Sequence, residues 1–187
     1  MDRHPKWEFA PTNGGDDDGF SDAFIETFTG DYETYLAREI IQNSIDARFD
    51  NSIPVEVKFD RYDIETISIP CMIDLQNIFQ KCLDYWPSDK KVIAFFSRAI
   101  TLAKQDKVSV LKISDFNTTG LRGGDYEKQG EWYCLVKTQG ASSKQEEKGG
   151  SFGIGKGAPF AASAFRLVYY STLTDTDENF FHYSNHS

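Results

Sequence analysis

From Leu36 to Arg48 the chain reads LAREIIQNSIDAR. At roughly 100° per residue of helix, Glu39, Asn43 and Asp46 fall within a sector of about 60°. Ile40, Ile41 and Ile45 point elsewhere, with Ala37 and Ala47 as small packing residues. A carboxylate, an amide and a second carboxylate in one line fit two situations. One is a solvated face with an i, i+4 hydrogen bond; the other is a row of groups turned toward a ligand. The helix alone leaves both open. Asp31, behind Thr29-Gly30, is the expected N-cap. The helix is expected to end near Asp50-Asn51, because Pro54 cannot lie inside it.

The pattern then switches. Val55-Glu56-Val57-Lys58-Phe59 alternates apolar and polar positions, which predicts a half-buried strand, and Tyr62 to Ile69 predicts a second short one. Met72, Leu75, Phe79 and Leu83 recur at three and four, as do Ile93, Phe96, Ile100 and Ala103, with Pro87-Ser88-Asp89 between them. This predicts a helical hairpin inserted at about 70–105, whose apolar stripes are packing surface. Val108 to Ser114 predicts a strand, followed by the turn residues Asp115-Phe116-Asn117-Thr118-Thr119-Gly120. Residues 121–150 are polar and glycine-rich apart from Trp132 to Val136, and Thr138 to Gly150 is expected to be a mobile loop. Phe165 to Tyr170 and Phe180 to Tyr183 are the last expected strands. Near the N-terminus, Trp7 and Phe9 flank a possible short strand, and Phe20 to Phe28 reads as a short helix.

Composition narrows the classes. The 187 residues, 40% hydrophobic and 26% charged, suit one folded domain with its own core. A net charge of −9 argues against non-specific binding of nucleic acid or anionic membrane. No apolar stretch has the length of a membrane span or a signal h-region. Cys71, Cys82 and Cys134 are odd in number and widely spaced, as expected for reduced thiols in the cytoplasm.

Several candidate sites can be weighed from the residues. Gly14-Gly15-Asp16-Asp17-Asp18-Gly19 lacks the alternating ligands and distant Glu of a calcium loop. His182 and His186 lie in a predicted strand and tail, an unsuitable metal pair. Asp115, at the end of a strand, is either a ligand-binding carboxylate or the cap of its own turn. Gly150 to Lys156 spells G-x-x-x-x-G-K, most of a P-loop. Yet Gly157 stands where Ser or Thr should hold Mg²⁺, and the polar residues Gln145 to Gly149 cannot be the buried strand that precedes such a loop. A glycine loop entering a helix N-terminus also suits a polyphosphate, and Gly150, Gly153, Gly155 and Gly157 crowd around Lys156.

These elements, in this order, resemble the GHKL ATPase superfamily, which includes the ninety-kilodalton heat-shock chaperones, MutL, the gyrase B subunit, MORC ATPases and histidine kinases. Arg38 to Ala47 is similar to the family's N-box, Ser114 to Gly120 to its Asp-x-Gly-x-Gly box, and Gly150 to Gly157 to its later glycine box. Asn117 stands where the family has its first glycine, and Gly120 comes one residue late. Asn-Ser-Ile-Asp-Ala is closer to the chaperone, MutL and topoisomerase versions than to the kinase version.

The resemblance implies an α/β architecture: an α+β two-layer sandwich, with a mixed, largely antiparallel sheet covered on one face by helices, as in the Bergerat-type ATP-binding fold. It implies a single domain lacking its last strands, with a lid at 121–150. ATP and Mg²⁺ are the implied cofactors. Asn43 would hold the metal, and Glu39 would be the general base or orient the attacking water. Asp115 would accept from the adenine amino group, with Asp46 a neighbouring support and Asn117 and Gly120 beside the base. Gly153, Ile154, Gly155, Lys156 and Gly157 would contact the phosphates, and Thr172 and Thr174 are candidates for the threonine that the family places beside its Asp. Slow hydrolysis would drive lid closure and homodimerisation or engagement of a protein partner. Nucleic acid would be reached only through other regions, as in bacterial MutL-like and MORC-like ATPases. A non-hydrolysing ATP sensor and a histidine-kinase-type catalytic domain are the alternatives.

Overall fold

The computed structural model describes Trp7, residues 30–124, 127–136 and 157–174, and the backbone of 181–186. The described elements are α1 (Tyr32–Asp46), β1 (Glu56–Glu65), a 3₁₀ turn (Thr66–Ser68), α2 (Met72–Tyr85), α3 (Lys90–Ala103), β2 (Lys107–Phe116), α4 (Glu131–Val136), α5 (Gly157–Ala162), β3 (Leu167–Thr172) and β4 (Phe181–His186). The protein is thus a mixed α and β structure. No described helix is long and apolar enough to cross a membrane. All three cysteines are thiols, as expected.

The chain divides into two compact units. The first comprises Met1–Asp22 and Phe59–Lys112, the second Ala23–Lys58 and Ile113–Ser187. The core of the first unit is the predicted hairpin. Helix α2 begins directly after Pro70, and Asp89 caps α3 by accepting hydrogen bonds from the backbone N–H groups of Lys91 (2.8 Å) and Val92 (3.1 Å). Leu75, Phe79, Val92, Phe96 and Ala99 are buried, with the Phe79 and Phe96 rings 5.8 Å apart. Of the expected stripes, Met72, Leu75, Phe79, Phe96 and Ala103 are buried, while on α3 Val92 and Ala99 stand in the core in place of Ile93 and Ile100. Gln76 Nε2 donates to the Ala103 carbonyl at 2.6 Å, which satisfies an otherwise open carbonyl at the end of α3. The Trp7 indole N–H donates to the carbonyl of Cys71 at 3.1 Å.

Three sequence expectations change. Helix α1 closes at Asp46 rather than near Asp50, because Ala47 donates back to Asn43 (3.0 Å) and the following residues turn toward other partners. Tyr62 to Ile69 is not a second strand. Glu56 to Glu65 is one strand, although the apolar alternation slips between Phe59 and Tyr62, and Thr66–Ser68 is a 3₁₀ turn closed by Ile69 N–H on the Thr66 carbonyl. Ile93, placed on an apolar stripe, is 38% exposed; on α1 the Leu36–Ile40–Ser44 line turns inward and leaves Ile41 and Ile45 42% and 47% exposed.

The described strands form two separate pairs, β1–β2 and β3–β4, rather than one continuous sheet. The second pair is antiparallel, in register from Leu167↔His186 to Thr172↔Phe181. Part of the expected lid is built into the second unit: Trp132 on α4 is only 1% exposed, and its backbone N–H donates to the Arg122 carbonyl at 3.0 Å. The expected elements at Phe9 and at Phe20 to Phe28 lie outside the described residues.

Candidate functional site

Helix α1 supplies the floor of the candidate site. Leu36, Ile40 and Ser44 lie at i, i+4, i+8, one line of the helix. Leu36 and Ser44 are buried. Leu36 packs with Ala158 of α5 in a small core that also takes in Ile40, Ile113, Ala161 and Ala162. Fully burying one leucine is worth roughly 1.5–3 kcal/mol, so this contact binds the segment after the glycine loop to the N-box-like helix. Ser44 is the polar member of the apolar line. Its hydroxyl lies 2.8 Å from the Ile40 carbonyl and 3.3 Å from Oδ2 of Asp115, and it donates toward both.

Beside that line stands the polar row. Glu39 is half-buried and Asn43 is exposed. No side-chain hydrogen bond engages either group among the described residues. Asp46 differs, because Gln42 Nε2 donates to its Oδ1 at 3.0 Å. The i, i+4 bond open to this face therefore forms between Gln42 and Asp46 and leaves Glu39 and Asn43 available.

Strand β2 delivers Asp115 to the helix, and the turn after it is sewn to the end of α1. Thr119 N–H donates to the Ala47 carbonyl (2.9 Å), Phe49 N–H donates to the Asn117 carbonyl (3.0 Å), and Arg48 and Thr118 form an antiparallel bridge. Asn117 has φ +59°, a left-handed conformation that glycine and asparagine tolerate best. The resemblance places a glycine at this position, and Asn117 meets the same backbone requirement. Phe116 points outward, with Lys58 Nζ 4.8 Å from its ring centroid.

Gly120 and Thr172 close the other side. Gly120 has φ +67°, and a Cβ there would run into the Leu173 carbonyl and lie 3.0 Å from Thr172 Oγ1. Thr172 is buried, and its hydroxyl accepts from Leu121 N–H at 2.7 Å. Of the two candidate threonines, Thr172 therefore sits against the turn that follows Asp115. The next residue along, Arg122, donates its N–H to Glu131 Oε2 at 3.1 Å, which ties the turn to α4.

The second unit thus brings together α1, Asp115, Asn117, Gly120, Thr172 and α5, with Gly157 buried at the start of α5. Gly153, Ile154, Gly155 and Lys156 lie outside the described residues. Ser44 received no role from sequence; the signal was a hydroxyl on an otherwise apolar i, i+4 line. Among the described residues no group of three or more His, Cys, Asp or Glu converges as a metal cage. That donor set still fits Mg²⁺ held by one amide oxygen together with phosphates, for which no all-protein cage is needed. Two depressions, of about 440 and 390 Å³, lie on the first unit around Thr66, Ile67 and Met72. No protein-family model matches the chain, and neither does any curated protein or solved structure.

Proposed function

We propose that this chain is a GHKL-type ATP-binding domain that hydrolyses ATP slowly, with its second unit carrying the nucleotide. One observation supports the reading above all. A single helix, α1, is joined to Asp115 through Ser44 and to α5 through Leu36 and Ala158. The strand end that carries Asp115 and the helix that follows the glycine-rich segment, far apart in sequence, therefore meet on the helix similar to the N-box.

In this reading Asp115 accepts from the exocyclic amino group of adenine, and Ser44 holds that carboxylate in place. Thr172 lines the same end. Asn43 offers an amide oxygen to Mg²⁺, which when bound neutralises phosphate charge. Glu39, one turn before Asn43, orients or deprotonates the attacking water. Asp46, held by Gln42, supports the row rather than reacting. The glycine segment Gly153 to Gly157, with Lys156, receives the phosphates. Closure of the lid at 121–150 over the nucleotide promotes homodimerisation or partner engagement.

The test is titration calorimetry of ATP with and without Mg²⁺, paired with phosphate release and light scattering for mass. Wild type binds ATP·Mg²⁺, turns it over slowly and doubles in mass. Glu39→Ala binds but does not turn over, whereas Asn43→Ala loses the Mg²⁺-dependent part of binding. Absence of ATP binding by wild type rejects the proposal.

A further inference from the structure

We infer that Asn117 is a positioning residue that acts through Asp115, a role that rests on the ATP site proposed above. The motif places Asn117 beside the base, and its side-chain amide is bonded to the loop that leaves α1. Oδ1 accepts from Asp50 N–H at 3.0 Å, and Nδ2 donates to the carbonyls of Asp50 (2.9 Å) and Ile53 (2.7 Å). An asparagine amide has two N–H donors, and both are committed here. Its own carbonyl also accepts from Phe49 N–H.

A glycine would satisfy φ +59° with less strain and none of these side-chain bonds. What asparagine adds is a clasp between the turn after β2 and the loop leaving α1. Asp115 lies two residues before the clasp, and Ser44 lies in the last turns of α1. The clasp holds as one piece the two segments whose separation sets the Ser44–Asp115 distance of 3.3 Å. It thereby fixes the adenine-reading carboxylate relative to the helix that carries Glu39 and Asn43.

The experiment compares wild type with Asn117→Gly, which keeps the backbone conformation and removes the clasp. Steady-state hydrolysis and ADP titration are expected to show KM and Kd raised about tenfold, the equivalent of about 1.4 kcal/mol, with kcat changed much less. A purely structural role lowers kcat in proportion to the folded fraction and leaves KM unmoved; that result overturns the inference. Amide hydrogen exchange on wild type provides a second measurement that needs neither the variant nor a nucleotide. Asp50 N–H should exchange slowly together with those of Phe49 and Thr119, and exchange at Asp50 as fast as in a free peptide means there is no clasp. A wild-type chain that binds no nucleotide removes the site and the positioning role together, while the exchange result still reports on the clasp itself.

Discussion

The hydroxyl of Ser44 lies 3.3 Å from Oδ2 of Asp115, although the two residues are 71 positions apart in the chain. Ser44 is 4% exposed whereas Asp115 is exposed, so the carboxylate meets a buried donor while remaining open to water. Ser44→Ala should weaken adenine-nucleotide binding roughly tenfold, since one hydrogen bond to a charged group is worth about 1.5–3 kcal/mol. Calorimetric titration of ADP checks this. Unchanged affinity would show that the pair does not shape the nucleotide pocket.

The contact of Gly120 with the end of β3 leaves no room for a side chain. Gly120→Ala combines a strained positive φ with a Cβ driven into the Leu173 carbonyl, and should cost roughly 2–4 kcal/mol. Thr172→Val leaves Leu121 N–H without its acceptor and should cost about 1–3 kcal/mol, whereas Thr172→Ser should restore most of it. Urea unfolding of the three variants decides the matter, and a neutral Gly120→Ala would place the turn elsewhere.

Ala158 is fully buried against Leu36, so the α1–α5 contact is sensitive to volume. Ala158→Leu should destabilise the protein by about 1–3 kcal/mol through overpacking. It should also impair ATP binding more than adenosine binding, because α5 carries the exit of the glycine segment. Parallel titrations with both ligands test this; equal losses would separate α5 from the phosphate end.

Two groups give the stability a pH dependence at its extremes. Burial pushes the Tyr170 phenol from 10.0 up to about 12. Between these values the unfolded chain releases the proton and the folded chain keeps it, so stability is unaffected below about pH 10 and falls as pH rises toward 12. Asp50 is held below its ordinary value of 3.8, first by the Ser52 hydroxyl and then by the Ser52 backbone N–H. Its contribution is present above pH 3.8 and is lost as pH falls through the lower folded value. Tyr170→Phe should flatten the alkaline limb of a thermal-denaturation profile, and Ser52→Ala should reduce the acid one. Unaltered limbs would disprove each assignment.

The two helices of the inserted hairpin were legible, because the spacing at three and four, the Pro87 break and the Asp89 cap each act locally, but the face of α3 that packs was not: Val92 and Ala99 are buried and Ile93 is exposed. Helix α1 was legible in its polar row but not on its apolar side. Periodicity marks Ile41 and Ile45 as core-like, and only tertiary packing decides that Leu36, Ile40 and Ser44 face inward. Asn117 illustrates a different limit. Its residue type signals a left-handed turn, yet the three partners of its amide lie more than 60 positions away and no spacing rule reaches them. Gly120 shows the same limit, since its tight contact with Leu173 and Thr172 joins positions more than 50 residues apart. The expected single sheet depended on pairings between distant strands, the kind of contact that alternation within one strand cannot specify.

The backbone N–H of Thr66 meets the carbonyl of Asp106 at 2.9 Å, where the hairpin excursion leaves β1 and rejoins β2. Both ends of the excursion therefore sit at one point on the strand pair. Loop closure there costs little more for a long segment than for a short one. The hairpin, being the core of its unit, is held at its base by this closure, so a designer wishing to attach a reporter would do so at its exposed tip, Pro87-Ser88, where neither the stripes nor the closure is touched.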